Sequence, residues 1–181
     1  MAELASVQIE QLPTSVEEFV ALRDQIAQSP QGGAAMMVLA LLTYTNDNVL
    51  GQQCLTIAVD RERLQEGDKG YKGWQLSNSS LQRVRSQLEG KPYLPRSYIE
   101  QAMPENGYAL AEPPYVVICS DNPYSGEIDS GTYKVFVTCS GASSPRPITL
   151  KRNDKGLWKA SEWSSLLVGI REPVQTVSDD L

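Results

Sequence analysis

The sequence predicts an α+β domain in which an N-terminal layer of four to five helices packs on a C-terminal antiparallel sheet of about four strands. Apolar residues recur at helical spacing up to about residue 110 and then follow the alternation of strands. Helices that precede strands along the chain are typical of α+β folds, because parallel βαβ units would alternate the two kinds of element.

The predicted domain spans residues 13–171, with a helical part at 13–110 and a β part at 111–171. A flexible arm (1–12) precedes it, and a flexible tail (172–181) follows it. Two small domains that meet near residue 110 are the alternative division. The chain of 181 residues is long enough to bury a substantial core.

The helical part contains five stretches with helical spacing and one glycine-rich loop. In chain order they are helix 14–29, helix 34–44, helix 49–59, loop 67–76, helix 78–89 and a short helix within 95–103. Thr14 and Glu17 form a capping-box pattern at the first helix, and residues 30–33 (Pro-Gln-Gly-Gly) are expected to end it. The second helix is apolar almost all round, which predicts a central position.

Four strands are predicted in the β part, at 115–119, 133–139 and in a hairpin within 147–170. The hairpin turns at Asp154-Lys155-Gly156, where glycine supplies the positive φ that a three-residue turn requires. This turn places Arg152 opposite Trp158, and it directs the apolar side chains of both strands to one face.

Composition excludes several classes of function. The chain has a net charge of −6 and a pI near 4.7, which argue against a nucleic-acid partner. It has no histidine, which excludes Ser-His-Asp and Cys-His catalysis and His-ligated metals. No cofactor or metal is predicted. The absence of a signal peptide and of a membrane-length apolar run predicts a soluble, cytoplasmic protein.

Two of the three cysteines, Cys119 and Cys139, end predicted strands. If those strands pair as a simple hairpin, Cys119 faces Tyr133, and Cys139 lies roughly 20 Å away along the ladder. A disulfide cannot span that distance, so both residues are predicted to be buried free thiols.

The loop between the first two strands, residues 120–132, is the preferred binding surface, with Asp121, Asn122, Tyr124 and Glu127 as candidate residues. Long loops carried by rigid strands often hold functional residues. The carboxylates suggest a calcium loop as an alternative, but Pro123 occupies a position that an EF-hand needs for a ligand.

Two further binding candidates lie later in the chain. Arg146, between Pro145 and Pro147, could hold an anionic ligand, although solvated charges at a sheet edge explain it equally well. Trp163 could form an aromatic platform for a sugar or peptide. Its parity along the strand is opposite to that of Trp158, which allows a position at the surface or under the helices, but core packing is the preferred interpretation of these aromatic residues.

Three stretches, PTSVEEFVALRDQI, GWQLSNSSLQRVRSQL and PRPITLKRNDKGLWKASEWSSLLVGI, give the chain a family resemblance. It resembles a bacterial family of uncharacterised proteins. The resemblance implies a bacterial, cytoplasmic protein and carries no activity, cofactor or catalytic residue.

The hypothesis that these observations favour is a non-enzymatic binding or protein-interaction module whose partner is another protein. The alternative is a small-ligand-binding protein or a histidine-independent enzyme, with a pocket of carboxylate, tyrosine and arginine side chains between helices and sheet. Glu162, Asp121 and Tyr124 are the first residues to test in that case, and no catalytic residue is assigned.

Overall fold

The computed structural model describes residues 1–175 of the chain. These residues contain four α-helices and nine β-strands. The helices are α1 (Val16–Ile26), α2 (Pro30–Asn46), α3 (Asn48–Ala58) and α4 (Asn78–Leu88). Short 3₁₀ turns occur at Arg61–Arg63, Leu94–Tyr98, Pro104–Asn106, Ile128–Ser130 and Ser164–Leu167. The predicted α+β class is confirmed.

The main sheet has five antiparallel strands rather than the four predicted. Their spatial order is β1 (Ala2–Glu3), β6 (Cys119–Asp121), β7 (Thr132–Val137), β8 (Arg146–Arg152) and β9 (Trp158–Glu162). Two small antiparallel pairs accompany it, β2 (Val7–Ile9) with β5 (Tyr115–Val117) and β3 (Leu64–Tyr71) with β4 (Trp74–Leu76).

Helix α2 lies at the centre of the fold and contacts β7, β8 and β9. Every residue from Gly32 to Tyr44 is buried, as the all-round apolar pattern of the helix predicts. One cluster of buried apolar residues joins this helix to the sheet and to the other helices. No helix within residues 1–175 has the length and apolar character to cross a membrane.

The boundary between the first two helices differs from the prediction. Residues 30–33 do not end α1; they open α2, because Ser29 caps that helix and Pro30 fits its first turn. The glycines there permit close packing: a Cβ on Gly33 would lie 2.6 Å from the carbonyl oxygen of Trp158. The cap of α1 is Ser15 rather than Thr14, since the Glu18 amide donates to Ser15 Oγ at 3.1 Å.

Residues 1–12 do not form the flexible arm that the sequence predicts. β1 pairs with β6, and β2 pairs with β5, so the arm completes both sheets. The buried side chains of Val7 and Ile9 fix it to the core. The predicted strand 115–119 is accordingly divided between two sheets. At the other end, Val174 N donates to Pro104 O at 2.9 Å, and residues 176–181 of the predicted tail lie outside the described residues.

The β8–β9 hairpin confirms the predicted register, with Arg152 opposite Trp158 and Leu150 opposite Ala160. Gly156 has φ +78°, as the turn requires. Beyond Ala160 the register shifts, because Thr149 faces Glu162 and Ser161 forms a bulge. The extra residue reverses the parity that the sequence implies and buries the Trp163 side chain.

The predicted loop 67–76 is a β-hairpin, β3–β4, and the loop prediction is wrong. Tyr71 pairs with Trp74 across the two-residue turn Lys72-Gly73, and both turn residues have positive φ. Hairpin β3–β4 packs on α3. Three glycines, at positions 67, 70 and 73, obscure the strand pattern in this part of the sequence.

Cys119 and Cys139 are buried free thiols, as predicted, and so is Cys54. The register used for that prediction is wrong, however, since Cys119 pairs with Val137 and not with Tyr133. Cys119 therefore pairs with a residue further along β7 than the simple hairpin register assumes, because the β6–β7 loop folds back on β7. Burial raises the pKa of Cys119 to about 12, which keeps the thiol neutral and unreactive.

Candidate functional site

The loop between β6 and β7 presents Tyr124 on a well-defined turn. Asn122 Oδ1 accepts a hydrogen bond from Tyr124 N at 2.8 Å, and Asn122 N donates to Ser125 Oγ at 3.0 Å. Ser125 O accepts from Lys134 N, which ties the turn to β7. The turn leaves the Tyr124 side chain 90% exposed.

The acidic candidates of this loop have structural partners or point to solvent. The Tyr133 hydroxyl donates to Asp121 Oδ2 at 2.6 Å, and this hydrogen bond, more than burial, raises the pKa of Tyr133. Glu127 is exposed, and its carbonyl accepts from Ser130 Oγ at 2.6 Å. Among the described residues, no group of three or more His, Cys, Asp or Glu could hold a metal ion.

Arg146 and Trp163 lie away from the loop, so the six predicted residues do not form one site. Arg146 pairs with Val137, at the opposite end of β7 from the loop, and its Nη2 donates to Gly169 O at 3.1 Å. Trp163 is only 7% exposed and lines a separate cleft of about 370 Å³.

The cleft beside Trp163 is rich in serine, but its carboxylates are paired. Glu162 forms an ion pair with Arg63 at 2.6 Å, and Glu62 forms one with Lys151 at 2.9 Å. The hydrogen bond from Lys151 lowers the pKa of Glu62, so this carboxylate stays ionised. Neither residue is arranged as a general acid.

A second cleft, of about 590 Å³, has a charge opposite in sign to that of the whole chain. We call it the cationic cleft. It lies between the end of α3, the β3–β4 hairpin, the β8–β9 turn and α1. Five basic and two acidic side chains line it, an excess of three positive charges in a chain of net charge −6: Arg23, Arg61, Lys72, Lys155 and Lys159, with Asp60 and Asp154.

Two aromatic rings from the β3–β4 hairpin also line the cationic cleft. The Arg61 guanidinium lies 5.3 Å from the centre of the Trp74 ring, and the Lys72 ammonium lies 5.3 Å from that of Tyr71. These distances are within the range of cation–π attraction. Each ring is half-buried, so its remaining surface faces the cleft or the solvent.

Lys159 is the most perturbed basic residue of the cleft. Its Nζ donates to the carbonyl oxygen of Ile57, which lies in the last turn of α3 and has no partner within the helix. Burial and, to a smaller extent, the nearby charge of Arg23 lower the pKa of Lys159 to about 8, whereas Asp60 and Asp24 oppose the shift. Lys159 therefore both caps a helix and titrates near neutral pH.

A larger cleft of about 930 Å³ adjoins the cationic cleft, and the two share Arg23 and Lys155. We call it the adjoining cleft. Its other charged residues are Arg152 and Asp24, and Asp24 is paired with Arg23 at 2.9 Å. Its apolar lining is Leu4, Ile128, Leu157 and Trp158. Ile128 belongs to the β6–β7 loop, so part of the predicted binding surface borders this cleft.

The sequence does not reveal the cationic cleft because its basic residues come from four separate segments. One local signal was available: Tyr71-Lys72-Gly73-Trp74 is a two-residue turn sequence between aromatic residues, which is typical of a β-hairpin. Recognising it would have brought Tyr71, Lys72 and Trp74 together. Arg23 and Lys159 join them only through tertiary packing.

Comparison with protein families matches residues 11–174 to a model described as a domain of unknown function (DUF6935). Neither the curated proteins nor the solved structures give a match to the chain.

Proposed function

From the premise that the chain belongs to the DUF6935 family, a domain of unknown function, we propose that it is a non-enzymatic binding module whose ligand is an anion held in the cationic cleft. The observation that carries the proposal is the excess of three positive charges around this cleft in a chain of net charge −6. The proposal retains the expectation of a soluble, cytoplasmic, bacterial protein.

Electrostatics favours an anion over a cation or a neutral ligand. Within residues 1–175, three ion pairs occur, and none of them involves Arg61, Lys72, Lys155 or Lys159. The lining opposes these four positive charges and that of Arg23 only with Asp60 and Asp154, so a bound anion would be attracted by the remaining excess of positive charge.

The aromatic rings favour a ligand that carries a planar group next to its charge. Trp74 and Tyr71 offer half-buried ring surface beside the ammonium and guanidinium groups. An aromatic sulfate, phosphate or carboxylate could contact a ring and a cation at once. A fully hydrated inorganic anion would use only the cations, and it should bind more weakly.

The non-enzymatic part of the proposal is supported by the state of the polar groups. The chain has no histidine, and Glu62 and Glu162 are ion-paired. Lys159, whose pKa is near 8, is engaged with the Ile57 carbonyl rather than free in the cleft.

Isothermal titration calorimetry with sulfate, phenyl sulfate and uncharged benzyl alcohol tests the proposal. Phenyl sulfate should bind most tightly and benzyl alcohol not at all. Lys72→Ala and Arg61→Ala should each weaken phenyl sulfate about fivefold, which corresponds to ~1 kcal/mol per exposed charge contact. Lys91→Ala, an exposed lysine outside both clefts, removes the same charge and is the matched control. Equal effects of all three substitutions, or equal binding of benzyl alcohol, would refute the proposal.

A second candidate function is protein interaction through the β6–β7 loop, and the exposure of Tyr124 favours it. An aromatic side chain that is 90% exposed on a hydrogen-bonded turn can anchor a partner without reordering the loop. A partner captured by the wild-type chain should be lost with Tyr124→Ala and retained with Lys134→Ala, which alters an exposed residue on β7. Retention with both variants would exclude the loop as the contact.

A further inference from the structure

The two clefts together are longer than a small anion needs. They share Arg23 and Lys155 and lie on either side of the β8–β9 turn. With Arg152, the positive charge continues from the cationic cleft into the adjoining cleft. Around the pair of clefts, six basic residues face three acidic ones, Asp24, Asp60 and Asp154.

The adjoining cleft differs from the cationic cleft in offering apolar surface. Ile128 is 47% exposed at its rim, and Leu4, Leu157 and Trp158 contribute to its wall. The Arg152 guanidinium lies 5.4 Å from the centre of the Trp158 ring, which places a positive charge beside this apolar surface. A ligand that fills both clefts must therefore combine negative charges with an apolar group.

We infer that the ligand spanning both clefts is an acidic, extended peptide segment of a partner protein, with carboxylates at the basic residues and an aliphatic side chain against Ile128 and Leu157. This inference rests on the proposed function, because it extends the same anion site. It also names the chemistry of the protein partner that the sequence leads us to expect.

A peptide fits these clefts better than a nucleic acid does. Nucleic-acid binding needs a basic face that follows a regularly spaced row of phosphates, and it is opposed by a chain of net charge −6. Here an excess of positive charge lines two concave sites, and one of them is also lined by aliphatic side chains. A peptide that combines acidic and aliphatic side chains matches both features.

Fluorescence anisotropy with labelled hexapeptides tests the inference on the full chain. The probe is Glu-Leu-Glu-Glu-Leu-Glu, which is about 20 Å long when extended. The comparison probes replace Leu by Ser or Glu by Gln, and a thymidylate hexanucleotide represents nucleic acid. The Glu/Leu peptide should bind at least tenfold more tightly than each of the three others. Tighter binding of the oligonucleotide would overturn the inference.

Variants in each cleft separate this inference from the proposed function. Lys72→Ala should weaken both phenyl sulfate and the peptide about fivefold, whereas Ile128→Ser should weaken only the peptide. Because Ile128 is exposed on the loop, its substitution should not prevent folding. Ile128→Ser should not weaken the binding of the Glu/Ser peptide, because that peptide has no aliphatic side chain to place against residue 128.

The outcomes are distinguishable. If phenyl sulfate binds as expected but Ile128→Ser leaves the affinity for the Glu/Leu peptide unchanged, the inference fails and the anion site stands. If neither phenyl sulfate nor the peptide binds, both fail. Arg152→Ala provides an independent check, because Arg152 lines only the adjoining cleft: it should weaken the peptide and spare phenyl sulfate.

Discussion

Anion binding in the cationic cleft should be coupled to proton uptake by Lys159, and the number of protons taken up per bound anion follows from the pKa of Lys159. Burial and the charge of Arg23 hold that pKa at about 8, so close to half of the Lys159 amines are neutral at pH 8. A sulfate ion in the cationic cleft supplies the missing negative charge and raises the pKa back towards 10.5, the ordinary value for lysine. Binding should then take up about half a proton per site at pH 8.

The assay is calorimetric titration with sulfate, an anion that does not itself titrate in this range, in two buffers of different ionisation enthalpy. The apparent binding enthalpy should depend on the buffer with a slope of about 0.5 at pH 8, and the slope should fall close to zero at pH 6, where Lys159 is already charged. Sulfate affinity should also fall as pH rises from 7 to 9. Lys91→Ala should preserve these dependences, and Lys159→Met should remove them.

A buffer-independent enthalpy at pH 8, measured while sulfate still binds, would refute the reasoning. It would mean that the bound anion does not approach Lys159 and that the amine serves only the Ile57 carbonyl. The remaining basic residues that line the cleft, Arg23, Arg61, Lys72 and Lys155, would then be the candidates for anion binding.

Three further predictions concern stability and reactivity. Gly156→Val should destabilise the fold by about 1 kcal/mol or more in chemical denaturation, because a β-branched residue is strained at φ +78° although nothing lies within 4 Å of the new Cβ; unchanged stability would contradict the turn. Cys54 and Cys119, whose pKa values burial raises to about 12, should resist an aromatic disulfide reagent until the chain is unfolded, and rapid labelling of the native protein would show that the core is open there. Lys159→Met should stabilise the fold at pH 7, because it removes a buried amine whose charge is incompletely compensated. That advantage over the wild type should shrink by about 1.4 kcal/mol between pH 7 and pH 9, since the wild-type folded state loses its proton at about pH 8 and the unfolded chain keeps it to about pH 10.5; a constant difference would contradict the lowered pKa.

The sequence was sufficient where one local pattern determined the structure. Helix α2 is apolar on every side, and only a central position buries all of it. In the β8–β9 hairpin, the apolar alternation and Gly156 independently require the same register. Each of these elements could be predicted because its own residues carry all the information it needs.

The predictions that the structure contradicts depend on tertiary contacts, which a local sequence pattern does not reveal. β1 and β2 are two and three residues long, and only their pairing with β6 and β5 makes them strands. The bulge at Ser161 reverses the parity of Trp163 relative to Trp158, so the burial of Trp163 does not follow from simple alternation along the strand. Of the predicted site residues, Asn122, Tyr124 and Glu127 lie in the β6–β7 loop and Asp121 ends β6, whereas Arg146 and Trp163 are elsewhere. The basic residues of the cationic cleft, at positions 23, 61, 72, 155 and 159, are too dispersed to form a sequence motif.

The position of Lys159 explains why this cleft, rather than the serine-rich one, is the better candidate site. In the serine-rich cleft, Glu62 and Glu162 each have a basic partner, so its charges are balanced without a ligand. Lys159 is instead half-buried beside Arg23, and its pKa is lowered first by desolvation and then by the charge of Arg23, which Asp60 and Asp24 oppose but do not offset. Its bond to Ile57 recovers part of this free energy, but a neutral donor could satisfy that carbonyl without burying a charge. The unbalanced charge remains to be explained, and a bound anion would supply the compensation that the fold itself does not provide.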